Sequence, residues 1–485
     1  LDETKNNYIM CVVYIADRYG LSIADVTTGE YMVTELNGSN KLFDEIYKYM
    51  PSELICNESF YMSGMDLKLL KDKLGITLYS LDSWYFDDKI CHRTLTDHFH
   101  VKGLDGLGLK DYDCGVIAAG ALLQYLLETQ KRDLSHITRL SVYAAGKYML
   151  LDSSTRRNLE LSETLREKQK RGSLLWVLDK TKTAMGARAL RKHIEQPLID
   201  KAEIERRLDA VEELKDNAIS REEIREYLNP VYDLERLLSK VTYKTANPRD
   251  FIAFRNSLEM LPAIKSVLKG FSCRELREVE DRIDGLQDIF QLIQASIEED
   301  PPVTVREGGI IRDGFDETVD MLRSAKRDGK QWLAQLEETD RERTGIKNLK
   351  IKYNKVFGYY FEVTNSYQNL VPEDYIRKQT LANAERYITE DLKVLENKIL
   401  GANERLAVLE RQLFDDLLHK ISAELPRIQK TASGVARLDV LTALAEVAVK
   451  NGYTKPVVDE GDELIIEEGR HPVIEQMLKG ALFVP

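Results

Sequence analysis

Residues 347–364 read KNLKIKYNKVFGYYFEVT, and residues 384–422 read AERYITEDLKVLENKILGANERLAVLERQLFDDLLHKIS. The first stretch carries β-branched and aromatic residues around a glycine turn, which favours paired strands. The second contains no proline, and apolar residues recur at Ile388, Leu392, Leu395, Ile399, Ala402, Leu406, Leu409 and Leu413. Gaps that alternate four and three form the a/d seam of a helix lying along a partner helix. At about 1.5 Å per residue, a helix over 384–422 is expected to be roughly 58 Å long. Gly401 in its middle should cost about 1 kcal/mol against alanine, so packing along the seam must offset it.

The partner helix lies upstream. From about Asp316 to Thr344, Val319, Leu322, Leu333 and Leu336 fall at helical spacing. Two helices flanking one compact insert must run antiparallel, so their stripes can pack as a two-stranded arm with the β-rich insert at its end.

Working outward, 8–36 reads as paired strands: YIMCVVYIA, then GLSIADVTTGEYMVTEL, with turn residues at Gly20 and Thr28-Gly29. A helix over Leu42–Met50, a strand over Glu53–Cys56 and a helix over Asp113–Glu128 follow. This alternation implies an α/β domain with a sheet, ending near residue 130. From about 150 to 300 the pattern is helical. Asp200 can cap a helix bearing Ile204, Leu208, Val211 and Leu214, Pro197 separates it from the helix before, and Asn247-Pro248 opens another. Strand-like runs return over 457–484, beginning VVDEGDELIIEEG.

Composition bounds the function. The chain has 485 residues, 43% of them hydrophobic, enough for several domains each with a core. A net charge of −12 argues against a generic basic nucleic-acid coat but leaves room for a local patch. Between Lys347 and Lys378 lie six basic residues (Lys347, Lys350, Lys352, Lys355, Arg377, Lys378) and three acidic ones (Glu362, Glu373, Asp374), a local surplus of three. The ordinary reading of such a window is a solvated surface. Cys11, Cys56, Cys91, Cys114 and Cys273 are scattered without a CxxC pair, which reads as reduced thiols in a cytoplasmic protein. No apolar run approaches the roughly 20 residues needed to span a bilayer, and no signal peptide is visible. The start at Leu1 and the stop just after Ala481–Val484 make the chain read as a piece of something longer.

The candidate sites are few. GxxxxGK[ST], whose backbone N–H groups cradle phosphate, is absent: Lys182-Thr183 lacks the upstream glycine, and Gly329-Lys330 is followed by glutamine. Asp17 and Asp25 on the first strands invite comparison with two-metal nucleases, but two aspartates on neighbouring strands are usually solvated. His92, His98 and His100 lie close in sequence without a spacing that converges them on a metal. The β insert offers Lys352, Asn354 and Lys355 near one turn, Ser366, Tyr367, Gln368 and Asn369 at a second polar tip, and Lys378, Gln379, Thr380 and Asn383 before the long helix. Amides, hydroxyls and amines are the groups that hold phosphate oxygens without reading bases. A polar loop set with no ligand has the same composition.

Several long motifs carry a resemblance. GSLLWVLDKTKTAMGARALRKHIEQPL (172–198), TRRNLEL (155–161), FGYYFEV (357–363), RKQTLANAERY (377–387) and EGRHPVIEQ (468–476) resemble the MutS family of DNA mismatch-repair proteins, collinearly over essentially the whole chain. The resemblance implies a multidomain α/β plus mainly α architecture. Residues 1–128 would be an RNase H-like connector without nuclease activity, 129–343 the helical core with a first lever, 344–385 a β-rich DNA clamp, 386–440 the second lever and core, and 441–485 the start of an ATPase domain. Members dimerise around double-stranded DNA, sense a mispair, exchange ADP for ATP with Mg2+ and recruit MutL.

Two departures follow. The mismatch-reading domain with its Phe-x-Glu wedge and the ATPase phosphate loop lie outside this chain. It is expected neither to recognise a mismatch nor to turn over ATP, to need no cofactor, and to be a monomer or weak dimer. Asn354 matches the asparagine of the family's N-x-V-x-G-Y-Y strand and Asn383 that of N-A-E-R; both family positions touch the DNA backbone. Lys352, Lys355 and Lys378 join them on charge and placement alone. Phe483 matches the aromatic that stacks on adenine in the complete ATPase, and His471 is assigned a structural role. The cellular place implied is the cytoplasm, at the nucleoid. The alternatives are a family relative acting on recombination junctions, a helical scaffold that binds only protein partners, and a metal nuclease built on the first domain.

Overall fold

The computed structural model describes residues 2–131, 133–144, 146–478 and 481–485. They fall into two compact units: Leu1–Ala246 with Ala253–Phe290 and Lys420–Pro485, and Asn247–Ile252 with Gln291–His419.

The first unit opens with a six-stranded sheet: β1 (Ile9–Ile15), β2 (Arg18–Asp25), β3 (Glu30–Leu36), β4 (Glu53–Cys56), β5 (Thr77–Ser80) and β6 (Ser141–Val142), in the order β5-β4-β1-β2-β3-β6. β1, β2 and β3 pair antiparallel, whereas β4, β5 and β6 join in parallel. β1 is an unbroken apolar run because both its faces are covered. Met10 and Val12 enter a core with Leu42 and Ile46 of the Ser39–Tyr49 helix, and Cys11 and Val13 enter another with Leu122 and Leu126 of the Asp113–Gln130 helix. Leu134, Ile137 and Leu140 belong to that second core, so the α/β fold continues past residue 130 to β6.

Gly20 is not a turn residue. It lies inside β2, where an added Cβ would sit 2.1 Å from the Cys114 carbonyl oxygen, so the glycine lets the Asp113–Gln130 helix approach the strand. The β1–β2 turn is made by Ala16 and Asp17, both at positive φ, with Tyr14 donating its hydroxyl to Asp17 Oδ1 at 2.8 Å. Thr28-Gly29 does turn the chain, with Gly29 at φ 79°.

The helical part of this unit is built around Leu425–Asn451, which packs against Ala184–Glu195, Lys201–Asp216, Ala218–Leu228, Leu234–Thr242 and Arg274–Arg282. Asp200 caps the Lys201–Asp216 helix by accepting from the Glu203 N–H at 2.8 Å. Within the central helix, Asp439 is fully buried and accepts from the N–H groups of Lys182 and Thr183 and from the Thr183 hydroxyl. Thr183 in turn caps Ala184–Glu195, so one carboxylate ties two helices together. Beyond it the strand-like run 457–484 forms no strand among its described residues: Val457, Leu464, Ile465 and Ile466 are exposed.

The second unit contains the helix Glu317–Thr344, which Asp316 caps, and the helix Glu390–Ser422 up to His419. The seam along the latter is real: Leu392, Ile399, Ala402 and Leu406 are buried. An added Cβ at Gly329 would sit 2.6 Å from Ile399 Cγ1, so the two helices touch closely there. Lys398 Nζ lies 4.0 Å from the centre of the Trp332 ring. Near the far end of the pair, the buried Glu410 accepts from the N–H groups of Gly309, Ile310 and Ile311 and pairs with Arg323 at 2.6 Å. No described helix is long and apolar enough to cross a membrane.

The expected helix start at Ala384 is overturned. Ala384–Ile388 forms a strand, and Thr389 caps the helix by accepting from the Leu392 N–H at 3.2 Å. At 33 residues the helix is therefore about 50 Å long. The seam pattern ran into AERYI because Ile388 happens to keep the spacing, while tertiary pairing decides the strand.

Candidate nucleic-acid interface

Between these helices β7 (Lys350–Asn354), β8 (Gly358–Thr364), β9 (Ile376–Thr380) and β10 (Ala384–Ile388) form an antiparallel sheet in the order β7-β8-β10-β9. One face is apolar. Ile351, Tyr359, Phe361, Val363 and Tyr387 pack with Leu333 and Leu336 of the first helix and Leu392 of the second. Two carboxylates fasten the sheet: Glu337 accepts from the Ile351 N–H and Glu396 from the Tyr359 N–H, each at 2.8 Å. Gly358, at φ 75°, leaves room for the Glu396 carboxylate, which an added Cβ would meet at 2.4 Å. Tyr375 stacks on Phe361 and donates to Asp340 at 2.7 Å. Arg343 closes the edge on Asp374 at 2.9 Å and holds that carboxyl below its usual range.

Strand parity puts the polar residues on the opposite face. Lys350, Lys352 and Asn354 on β7 register with Glu362, Tyr360 and Gly358 on β8, and Arg386 on β10 lies across from Glu362. Lys352 donates to Glu362 at 2.7 Å, and that bond raises its pKa. Arg386 lies 4.5 Å from the Tyr360 ring centre and donates to Gln379 at 2.8 Å. One acid thus stands among three bases on this face. Lys347, Lys350, Lys355 and Lys378 are exposed and have no ion-pair partner among the described residues.

The two asparagines are not brought together. Asn354 pairs with Gly358 at one end of the sheet, whereas Ala384, next to Asn383, pairs with Thr364 at the other. Six residues of β8 separate these ends, roughly 20 Å. Asn354 Oδ1 accepts from the Val356 N–H at 2.7 Å and shapes the turn that exposes Lys355. Asn383 is exposed, its carbonyl accepting from the Asn365 N–H at 3.1 Å; its side-chain amide has no hydrogen bond among the described residues. Asn348, Asn365, Ser366 and Gln368 gather near the same end. Lys378 sits where the β9–β10 ladder bulges opposite Arg386 and Tyr387.

Sequence reasoning missed Arg386, which fell in the stretch read as helix. Glu337 and Glu396, which anchor the sheet, were not singled out either. The alternation of Lys350, Lys352 and Asn354 was a usable signal, since period two from a known turn assigns the face.

The other candidates are structural or dispersed. Asp25 is buried and saturated by Asn6, the Asn7 N–H and Thr27, and it lies at the opposite end of β2 from Asp17. His98 is within 2.8 Å of the Ile137 carbonyl oxygen, and burial lowers its pKa. No group of three His, Cys, Asp or Glu suited to a metal exists among the described residues. His471 caps Pro472–Met477 through Nδ1. Phe483 is half-buried in an extended segment. All five cysteines are free, four of them buried.

Comparison with known proteins adds identity to this geometry. A family model described as MutS domain II matches residues 7–138, and one described as MutS domain III matches residues 154–445. The chain is 56% identical over 484 residues to the DNA mismatch repair protein MutS of Lachnoclostridium phytofermentans, covering 100% of this chain and 52% of that protein. It is 50% identical to the protein of that name from Ruminiclostridium cellulolyticum and 48% identical to that from Acetivibrio thermocellus, in each case over 100% of this chain and 56% of the relative. The chain therefore spans about half the length of the curated relatives it matches.

Proposed function

The chain belongs to the MutS family, and from that premise we propose that it is the part of a DNA mismatch-repair protein that grips duplex DNA and relays its presence to an ATPase. The observation that carries this reading is the small sheet fastened to two long helices. Its outer face and turns present unpaired lysines and free amides in a chain of net charge −12. Asn354, Asn383, Lys352, Lys355 and Lys378 are the proposed DNA contacts, and Lys347, Lys350 and Arg386 extend the set. Because Asn354 and Asn383 stand roughly 20 Å apart along β8, they would touch phosphates separated along the duplex rather than one phosphate. Contacts of this type fix position without reading sequence, as a grip that slides requires.

In this reading 344–385 is the clamp, the flanking helices are levers, and the sheet before residue 143 is the connector. The antiparallel β3-β2-β1 run with parallel β4 and β5 supports an RNase H-like connector. The whole protein would be a cytoplasmic, nucleoid-associated homodimer that binds mismatched DNA, uses ATP, ADP and Mg2+ in its ATPase domain with Phe483 against adenine, and recruits MutL. The names of the curated relatives favour mismatches over recombination junctions as its substrate.

Two experiments test this. Binding of this chain to two duplexes of unrelated sequence should be equal and should weaken on Asn383→Ala; a strong preference for one sequence would refute phosphate contact. Deleting 346–383 from the full-length protein should abolish DNA-stimulated nucleotide exchange, and unchanged exchange would refute the coupling.

A further inference from the structure

The first unit contains a cavity of about 630 Å³ between the end of the Ser39–Tyr49 helix, the segment 153–168 and the Ala184–Glu195 helix. Nine lysines and arginines line it against two glutamates, although the chain as a whole is acidic. Four of the nine are answered within the protein: Arg188 by Asp233 and Glu235, each at 2.7 Å, Lys192 by Glu30, Arg191 by Glu195 at 3.5 Å and Lys48 by Glu45 at 3.6 Å. Lys5, Lys73, Arg156, Arg157 and Lys168 have no carboxylate within ion-pair distance among the described residues. Lys48 is enclosed, its side chain 8% exposed and 5.0 Å from the ring centres of Tyr49 and Tyr143. Arg191 Nε is buried and has no hydrogen-bond partner.

Lys5, Lys73, Arg157 and Lys168 are exposed and Arg156 is half-buried; what sets them apart from a scattered basic surface is that they line one cleft, and a cleft lined by one sign concentrates its field inward. Burial lowers the pKa of both Lys48 and Arg156 and outweighs the neighbouring carboxylates Glu45 and Glu195. Guanidinium forks match phosphate oxygens two at a time, and the volume lies in the ordinary range for a small-molecule site.

We propose that this cavity binds a small polyphosphate anion, the phosphate chain of a nucleoside di- or triphosphate or an inorganic polyphosphate. Arg156, Arg157 and Arg191 hold its oxygens, with Lys48, Lys73 and Lys168 adding charge. The site belongs to the first unit and is independent of the DNA contacts proposed on the second.

The test is calorimetric titration of the 485-residue chain with tripolyphosphate and, separately, with ADP, both without Mg2+. The expected result is saturable one-to-one binding, weakened tenfold or more by Lys73→Gln with Arg157→Gln. Both side chains are exposed, so the fold should survive the change. Glu163→Gln should tighten binding, and duplex DNA affinity should not change in any of these variants. Tighter binding of ADP than of tripolyphosphate assigns a nucleotide, and the reverse assigns the inorganic anion. No saturable binding of either probe, or binding that the double variant leaves unaltered, overturns the proposal.

Discussion

The contact between the two long helices makes a paired prediction with opposite signs. At Gly401 an added Cβ meets nothing within 4 Å, so Gly401→Ala gains only helix propensity, about 1 kcal/mol of stabilisation. At Gly329 the same methyl would lie 2.6 Å from Cγ1 and 3.0 Å from Cδ1 of Ile399. Ile399 is 4% exposed and β-branched, so its Cγ1 cannot swing away without leaving a preferred rotamer. Overpacking of that kind costs roughly 1–3 kcal/mol, so after the propensity gain Gly329→Ala should be destabilising by about 0–2 kcal/mol. The difference between the two sites, about 1–3 kcal/mol, is the firmer quantity because the propensity term cancels. Native-state amide exchange over 317–344 and 390–422 measures it without requiring the whole chain to unfold in one step. Gly401→Ala should slow exchange in these helices by roughly fivefold, and Gly329→Ala should leave it unchanged or speed it up to about thirtyfold. Equal slowing by both substitutions would refute the close packing.

Other substitutions probe single contacts. Glu410→Ala strips a partner from the Gly309 N–H, from the two buried N–H groups of Ile310 and Ile311 and from Arg323, and should lower the stability of the second unit by roughly 3–5 kcal/mol in urea unfolding. Burial pushes the Asp439 carboxyl up to about 6 despite the hydrogen bonds from Thr183 and Lys182, so between the unfolded value of 3.8 and that pH the folded chain binds the extra proton. The stability difference between wild type and Asp439→Asn should accordingly fall as pH rises from about 4 through 6, and a difference that rises over that window would contradict the assignment. Gly20→Ala forces a methyl to within 2.1 Å of the Cys114 carbonyl, a backbone atom that cannot rotate aside, and should destabilise the first unit by about 3 kcal/mol or more in thermal unfolding.

Much of this architecture was legible from residue periodicity. The helix pair announced itself because Leu392, Ile399, Ala402 and Leu406 keep one face through 33 residues, and a seam of that length has few other readings. Strand β1 was legible for the opposite reason, an apolar run too short for a buried helix and followed by turn residues. What escaped were features set by contacts distant in sequence. Gly20 looked like a turn because glycine serves turns and close approaches alike, and only the neighbouring Asp113–Gln130 helix tells them apart. AERYI satisfies both a helical seam and an inner strand of a sheet, and pairing with β8 and β9 decides between them. The candidate site was legible by composition and motif, which marked Asn354, Asn383 and the lysines. Its geometry was not, since register alone separates the two asparagines. The basic cavity had no sequence signal, because its cations come from five separated stretches between Lys5 and Lys192.

The central claim is that the small sheet holds duplex DNA through its unpaired cations, and the salt dependence of binding tests it most directly. Lys347, Lys350, Lys355 and Lys378 are the four lysines there without an internal partner. If each covers one phosphate, log K should fall against log salt with a slope of about −3.6 between roughly 50 and 200 mM, measured by anisotropy of a labelled duplex. Lys355→Gln with Lys378→Gln should reduce that slope by about 1.8. A slope that the double substitution leaves unchanged, or no affinity even at the lowest salt, would contradict the account.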